Sequence, residues 1–255
     1  MFAPKTPVRE RILGMGYAGT GKSTAAIDIA LKIPEVTMHV IDSEPGMAWE
    51  RMNPGGEVPN ITTHVVDSWV PFAQKAKELR MSAGAQDWLV VDLLGPTAYD
   101  MVQEFYIQAV KGFEVEDFYL DFMKDRGKKK NPLDGDTDWQ AIKKMYSAFL
   151  SDVLNFPGHV FALTGVKPPP RDDQDIKQNR ELFSNAGVRP EGQKMTAHAF
   201  STILLFKQQG DKWMFDTVRE RNPRVGAKRE YVEKKVWEDF GKDYLMMIAG
   251  WRPGR

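Results

Sequence analysis

One motif restricts the fold of this chain more than any other feature, the glycine-rich run from Gly16 to Ser23. Its spacing is G-x-x-x-x-G-K-S, with a short apolar segment before it, Arg11 to Gly16, and a segment of helical period after it, Lys22 to Ile33. Glycines at this spacing let the backbone curl so that amide hydrogens converge on phosphate oxygens, and the following helix points its positive end at the same anion. The motif therefore predicts a strand–loop–helix unit that binds the phosphate chain of a nucleotide.

Each polar residue of this loop has a defined chemical task. Lys22 is expected to bridge the β- and γ-phosphates of ATP, and Ser23 to hold Mg²⁺ through its hydroxyl. ATP and Mg²⁺ are therefore the predicted cofactors, although no base-reading motif is evident and the preference for ATP over GTP stays open. The expected ATP-binding residues are Gly16, Ala18, Gly19, Thr20, Gly21, Lys22, Ser23 and Thr24.

Two acidic residues follow apolar segments at places where such a loop needs a carboxylate. Asp92 ends the segment 87–92 and is expected to orient Mg²⁺ through a water. Glu44 follows the segment 36–42, and the carboxyl ends of parallel strands face the ligand. A carboxylate at that place can polarise the attacking water, and Asp42 is the competing candidate for the role.

Strand and helix patterns alternate along most of the chain, which predicts an α/β fold with a mostly parallel, doubly wound sheet. Segments 202–207 and 213–219 predict an antiparallel hairpin at one edge. A helix is expected over 139–154, capped by Asp138 or Thr137. We expect one core over residues 1–229, with a partly mobile insertion at 112–138 and a long loop at 167–194. The tail 230–255 is expected to pack on this core or on a neighbouring subunit.

Composition removes several classes of chemistry. The 255 residues include 35 Lys and Arg against 35 Asp and Glu, so a surface that binds nucleic acid must be local. The sequence contains no cysteine, which excludes disulfides, thiolate catalysis and cysteine-bound zinc. The four histidines show no metal-ligand spacing. Since no apolar run has the length of a membrane span and no signal peptide is evident, we expect a cytoplasmic protein without a membrane partner.

Further segments resemble motifs of the RecA/RadA-type recombinases, in the order that this family has them. The segment 40–44 resembles the strand and loop of the catalytic glutamate, 89–94 the magnesium-acid strand, and 159–164 the core strand whose end senses the nucleotide. The segment 192–195 with the strand 200–206 resembles the region after the second DNA-binding loop, and 217–221 the final strand motif. The chain is similar as a whole to the short RecA-core ATPases of bacteriophages that act in single-strand annealing recombination.

This resemblance implies a RecA-like ATPase that acts on single-stranded DNA in recombination, annealing or replication. It implies a ring or filament with ATP between subunits, located in the host cytoplasm if a phage encodes the protein. Arg219 and Arg221 would then reach the neighbour's nucleotide, where a guanidinium can stabilise the transferring phosphoryl group. A simpler interpretation makes them surface charges on an edge strand. The implied catalytic residues are Lys22, Glu44, Asp92, Arg219 and Arg221. One departure is Gly165, where the family has a Gln or Asn sensor.

Two basic segments are candidates for contact with DNA. The first consists of Arg126, Lys128, Lys129 and Lys130, near aromatic residues that could stack on bases, namely Phe113, Phe118, Tyr119 and Phe122. The second lies in the long loop and includes Lys167, Arg171 and Lys177. Acidic residues occur beside both segments, so a solvated charge run and a loop without DNA contact are the alternatives.

Other functions on the same scaffold also stay open. A helicase- or packaging-type motor would share the nucleotide site. A small-molecule phosphotransferase would use the loop 167–194 as a lid over its phosphates. A third alternative is an adaptor that binds ATP and hydrolyses it slowly or not at all. The sequence leaves the oligomeric state and the preferred form of DNA undetermined.

Overall fold

The computed structural model describes residues 9–43, 58–95, 97–124, 133, 136–168, 183, 186–193, 195–210, 212–221, 235–236 and 240. The strands are β1 Arg11–Gly16, β2 Met38–Asp42, β3 Ile61–Val65, β4 Trp88–Gly95, β5 His159–Thr164, β6 Val166–Lys167, β7 Arg189–Pro190, β8 Thr202–Gln209, β9 Lys212–Glu220 and β10 Lys235–Val236. The helices are α1 Lys22–Lys32, α2 Trp69–Ser82, α3 Thr97–Tyr106, α4 Val115–Lys124, α5 Thr137–Leu154 and α6 Thr196–Ala199. A π-helical turn, Ile107–Lys111, continues α3.

Eight of these strands form one sheet in the order β10-β9-β8-β1-β5-β4-β2-β3. The strands from β8 to β3 in this order are mutually parallel, whereas β9 runs antiparallel to both β8 and β10. Strand β5 therefore lies between β1, which leads into the glycine loop, and β4, which carries Asp92. The predicted α/β fold with a mostly parallel sheet and an antiparallel edge hairpin is confirmed by this arrangement.

Helices cover both faces of the sheet because successive strand residues point to opposite sides. On one face, Leu13 of β1 and Val91 of β4 belong to a buried cluster with residues of α2, α3 and α5. On the other face, Ile12 and Val90 pack with the apolar side of α1. Phe240 extends this second cluster, with its ring 5.9, 5.6 and 5.2 Å from those of Phe161, Phe206 and Phe215. The sheet is thus doubly wound, as the strand–helix alternation predicts.

The guanidinium of Arg11 fastens the end of α5 to the start of β1. It donates to the carbonyl oxygens of Leu154 at 2.7 Å, Phe156 at 2.6 Å, Gly158 at 2.7 Å and Glu10 at 2.7 Å. The last carbonyls of a helix have no partner within the helix, and a cation also suits the negative end of its dipole. Arg11 therefore stabilises the end of the sheet where the parallel strands begin, opposite the glycine loop.

The predicted cap of the helix after the insertion is wrong. Helix α5 begins at Thr137, and the preceding residue is Asp136, which makes no side-chain capping bond. Asp138 is buried and accepts a hydrogen bond from the hydroxyl of Tyr106 at 2.7 Å, and it pairs with the ammonium of Lys111 at 2.7 Å. Its carboxylate therefore ties α5 to the end of α3 and has a structural task.

Most predicted element bounds agree with the structure. Strands β1 and β5 match to the residue, and the late hairpin is confirmed with longer strands. Strand β4 extends beyond Asp92 to Gly95. Within the insertion 112–138, the described part includes helix α4. None of the described helices has both the length and the apolar character needed to cross a membrane.

Candidate nucleotide-binding site

The glycine loop joins the carboxyl end of β1 to the amino end of α1, as the motif predicts. Gly19 and Gly21 have φ angles of 75° and 85°, a left-handed conformation that side chains other than glycine rarely adopt. A Cβ atom on Gly16 would lie 2.5 Å from the carbonyl oxygen of Phe206 on the neighbouring strand β8. The hydroxyl of Thr20 donates to the carbonyl of Tyr17 at 2.7 Å and closes the loop. These contacts explain why the loop needs glycine at those positions.

Lys22 directs its ammonium group back over this loop. The Nζ atom donates to the carbonyl oxygens of Gly16 and Tyr17, both at 2.9 Å, and the residue is buried. A lysine held in this way presents a positive charge to the centre of the loop, beside the amides that begin α1. The position suits an ion pair with the phosphates of a nucleotide.

Ser23 and Asp92 meet although 69 residues separate them in the sequence. The hydroxyl of Ser23 donates to the Oδ2 atom of Asp92 at 2.9 Å, and Asp92 is only 2% exposed. A hydroxyl and a carboxylate are the oxygen ligands that Mg²⁺ prefers, and this ion usually takes its remaining ligands from phosphates and water. Among the described residues no group of three His, Asp or Glu could hold a metal by itself. The pair fits a magnesium ion that arrives with a nucleotide.

The end of β2 lies directly beside the middle of β4, where Asp92 is. Asp42 and Asp92 are register partners, and both are buried. The hydroxyl of Ser43 donates to the carbonyl of Asp92 at 3.1 Å and accepts from the amide of Leu93 at 3.0 Å, while the Ser43 amide donates to the same Asp92 carbonyl at 2.7 Å. Glu44 follows Ser43 in the sequence but lies outside the described residues. Ser43 is the residue of this edge that the sequence interpretation missed.

The end of β5 is occupied by the segment that returns from the long loop. Thr164 donates through its hydroxyl to the carbonyl of Gly95 at 2.7 Å, and the amide of Glu191 donates to the carbonyl of Gly165 at 3.0 Å. A Cβ atom on Gly165 would overlap the carboxylate of Glu191. The flexible side chain of Glu191 therefore occupies the space next to position 165, and it would have to move before a larger residue could stand there.

A short antiparallel ribbon of β6 and β7 closes the base of the long loop. Lys167 and Arg189 are register partners in this ribbon and line a shallow cavity together with Phe183 and Gln193. The Nε atom of Arg189 is buried and has no hydrogen-bond partner within the described part of the chain. Arg189 is thus a candidate for anion contact that the sequence interpretation missed. The other basic candidates, Arg126, Lys128, Lys129, Lys130, Arg171 and Lys177, lie outside the described residues.

Arg219 and Arg221 lie at the end of the sheet where the parallel strands begin, opposite the glycine loop. Arg219 pairs with Ile203 near the start of β8, and the amide of Arg221 donates to the carbonyl of Ser201 at 3.0 Å. Strand β8 is parallel to β1, and β9 runs back along β8. Arg219 is therefore six residue steps along β9 from Trp213, about 20 Å, and Trp213 lies at the end of the sheet that carries the loop. Arg221 is exposed, whereas Arg219 is partly buried. Neither arginine is placed to reach the glycine loop of its own chain.

The aromatic residues of the insertion lie on an acidic surface. Phe118 is buried and thus unavailable to a base, whereas Phe113 and Tyr119 are exposed. Burial raises the pKa of the Glu104 carboxyl, and the nearby charges of Asp100 and Glu116 raise it further. A cluster of carboxylates repels a phosphodiester backbone, so this surface opposes the predicted DNA contact in its described part.

No protein-family model matches the sequence, and no curated protein is significantly similar to it. Among solved structures, the chain is similar to one described as the crystal structure of the RadB recombinase. The two chains share 11% sequence identity at a TM-score of 0.49, over 83% of this chain and 81% of that chain. We therefore infer the function from the residues of this chain.

Proposed function

We propose that this protein binds and hydrolyses ATP as a RecA-like ATPase, and that it acts on single-stranded DNA in recombination, annealing or replication. The observation that carries the proposal is the contact between Ser23 of the glycine loop and Asp92 of β4. The contact brings together the two oxygen groups that would hold magnesium, Ser23 directly and Asp92 through a water, and Lys22 of the same loop would meet the phosphates. Every function weighed above that uses Lys22, Ser23 and Asp92 together also requires a bound nucleoside triphosphate.

The chemistry follows from the positions of these groups. Lys22 and the loop amides neutralise charge on the phosphates, while Ser23 and Asp92 orient the magnesium ion. Glu44 follows the strand end that Ser43 fastens to Asp92, and we assign it the activation of water. Asp42 is buried at the end of β2, in register with Asp92. Glu44, as the next carboxylate along the chain, is therefore our choice for the base.

Contact with DNA and self-association are the further parts of the proposal. Lys167 and Arg189 are paired cationic residues at the base of the loop 167–194. Arg189 is two residues before Glu191, whose amide donates to the carbonyl of Gly165 just after β5. Phosphate contact there would be close to the nucleotide edge of the sheet. Arg221 is exposed at the end of the sheet opposite the glycine loop, so it can act only on the nucleotide of a neighbouring copy. A ring or filament that places this edge against the neighbour's loop would complete each site.

The test is the ATPase rate with and without single-stranded DNA, at low and moderate salt. The proteins compared are wild type, Lys22→Ala and the control Lys77→Ala, which removes an exposed lysine of α2. We expect hydrolysis that DNA stimulates, that Lys22→Ala abolishes and that Lys77→Ala leaves unchanged. Stimulation should weaken as salt rises, since phosphate contacts release counterions.

Three other outcomes would redirect the assignment. A rate that needs Lys22 but ignores DNA would leave an ATPase or phosphotransferase that serves another partner. Binding of ATP without turnover, unchanged by Glu44→Gln, would indicate an adaptor. Strand unwinding or translocation in the same assay would favour a motor over an annealing protein.

A further inference from the structure

The hairpin of β8 and β9 extends past the glycine loop. Gly16, the last residue of β1, is in register with Phe206, and β8 continues for three more residues to Gln209. The turn at Gly210 therefore lies beyond the carboxyl end of β1, on the nucleotide side of the sheet. Trp213 is the second residue of β9 and pairs with Gln208 in this extension.

Trp213 contacts the loop directly. Its indole nitrogen donates to the carbonyl oxygen of Gly19 at 3.1 Å, and the side chain is still 42% exposed. The hydrogen bond fixes the ring beside the loop while much of its surface stays open to solvent. Sequence patterns give no signal for this contact, because 194 residues separate the two partners.

Tyr17 presents a second aromatic ring at the same loop. The carbonyl of Tyr17 accepts from Thr20 and Lys22, so its backbone is held, yet the side chain is 59% exposed. Four Phe, Tyr or Trp side chains are largely exposed in the described part of the chain, and two of them lie at this loop. The other two belong to the acidic insertion. Open aromatic surface at the phosphate loop is thus a specific feature of the site.

We propose that Trp213, with Tyr17, is the platform on which the base of the bound nucleoside triphosphate stacks. This inference rests on the proposed function and names how that site takes its substrate. A fixed aromatic ring binds a base through its face at little entropic cost, since few rotatable bonds have to be ordered. Stacking does not read the hydrogen-bonding edge of a base. The site should therefore accept adenine and guanine nucleotides with similar affinity, consistent with the lack of a base-reading motif.

Calorimetric binding of MgATP and of magnesium tripolyphosphate, which has no base, tests this proposal. The variants are Trp213→Ala, Trp213→Phe and the control Lys212→Ala, which changes the neighbouring exposed residue. We expect Trp213→Ala to weaken ATP binding about tenfold or more while tripolyphosphate binding changes less than about twofold. Trp213→Phe keeps a ring but loses the N–H donor, so it should retain most of the affinity for ATP. MgGTP should behave like MgATP throughout.

Three outcomes would overturn the proposal. Equal weakening of ATP and tripolyphosphate by Trp213→Ala would mean that the indole only positions Gly19. Loss of ATP affinity in Trp213→Phe as large as in Trp213→Ala would assign the effect to the hydrogen bond. Unchanged affinity in all variants would leave the base elsewhere. Failure of nucleotide binding itself, on which the proposed function depends, looks different, since wild type would then bind neither ligand.

Discussion

Replacing Ser43 by alanine tests how the nucleotide edge of the sheet is held together. The hydroxyl of Ser43 is the side-chain group that joins the end of β2 to the backbone on both sides of the Asp92–Leu93 peptide. Alanine has nearly the same size and creates little cavity. The change therefore removes two hydrogen bonds and almost nothing else.

The expected loss follows from these two bonds. A neutral hydrogen bond contributes about 0.5–1.5 kcal/mol to stability, and a buried donor left without a partner costs about 1–3 kcal/mol. Ser43 is 5% exposed, so water can replace its hydroxyl at the Leu93 amide only poorly. We expect the free energy of unfolding to fall by about 2 kcal/mol. Turnover should fall as well, because the Ser43 hydroxyl no longer holds the residue before Glu44 against the backbone of Asp92.

Urea unfolding measures the stability, and ATP turnover is measured where both proteins are folded. The matched control is Ser201→Ala, whose hydroxyl donates one bond, to the Arg11 carbonyl at 3.1 Å, at the opposite edge of the sheet. That carbonyl also accepts the Ser201 amide, so the control should lose less than about 1 kcal/mol and keep its turnover. Equal losses of stability and turnover in the two variants would refute the reasoning.

Three further predictions concern Arg221, Arg11 and two histidines of strands β2 and β3. Arg221→Ala and Lys22→Ala subunits should each be inactive alone, yet a mixture should regain ATPase activity. In the mixture, the intact glycine loop of one subunit can meet the intact arginine of another. A mixture that stays inactive would contradict action between subunits. Arg11→Ala should lower the free energy of unfolding by about 3 kcal/mol, since four carbonyls lose a charged donor, and a calorimetric melt would reveal it. Burial lowers the pKa of both His39 and His64 below the ordinary value of 6.5. The unfolded chain therefore binds protons more tightly than the folded chain does, and the free energy of unfolding falls as the pH drops from about 7 to 5. His64→Gln should flatten that pH dependence in urea titrations, and an unchanged slope would contradict it.

The glycine loop and the core strands are predictable from sequence because their signals are local. The spacing from Gly16 to Ser23 defines the loop, and the apolar run before it can form only a buried strand. Asp92 is recognisable because it is an acid that directly follows an apolar run, although the strand continues past it to Gly95. Order along the chain then predicts the parallel sheet, since each crossover helix returns the next strand to the same direction.

Long-range polar contacts are not predictable in this way. Asp138 has the type and position of a helix cap, yet Tyr106 and Lys111 take its carboxylate, and no local pattern announces those partners. Ser43 is an ordinary serine until β4 is known to lie beside it. The contact of Glu191 with Gly165 depends on how a long loop returns to the sheet, which sequence spacing does not record.

The position of β9 gives the molecule a direction. Trp213 marks its nucleotide edge, and Arg221 marks the opposite one. A contact that sets the arginine edge of one copy on the loop of the next uses two different surfaces, so it repeats head to tail. It closes into a ring or continues as a helix, depending on the rotation per step. In an open helix one terminal copy holds a nucleotide without a neighbour's arginine, so hydrolysis, and with it the exchange of subunits, would differ between the two ends.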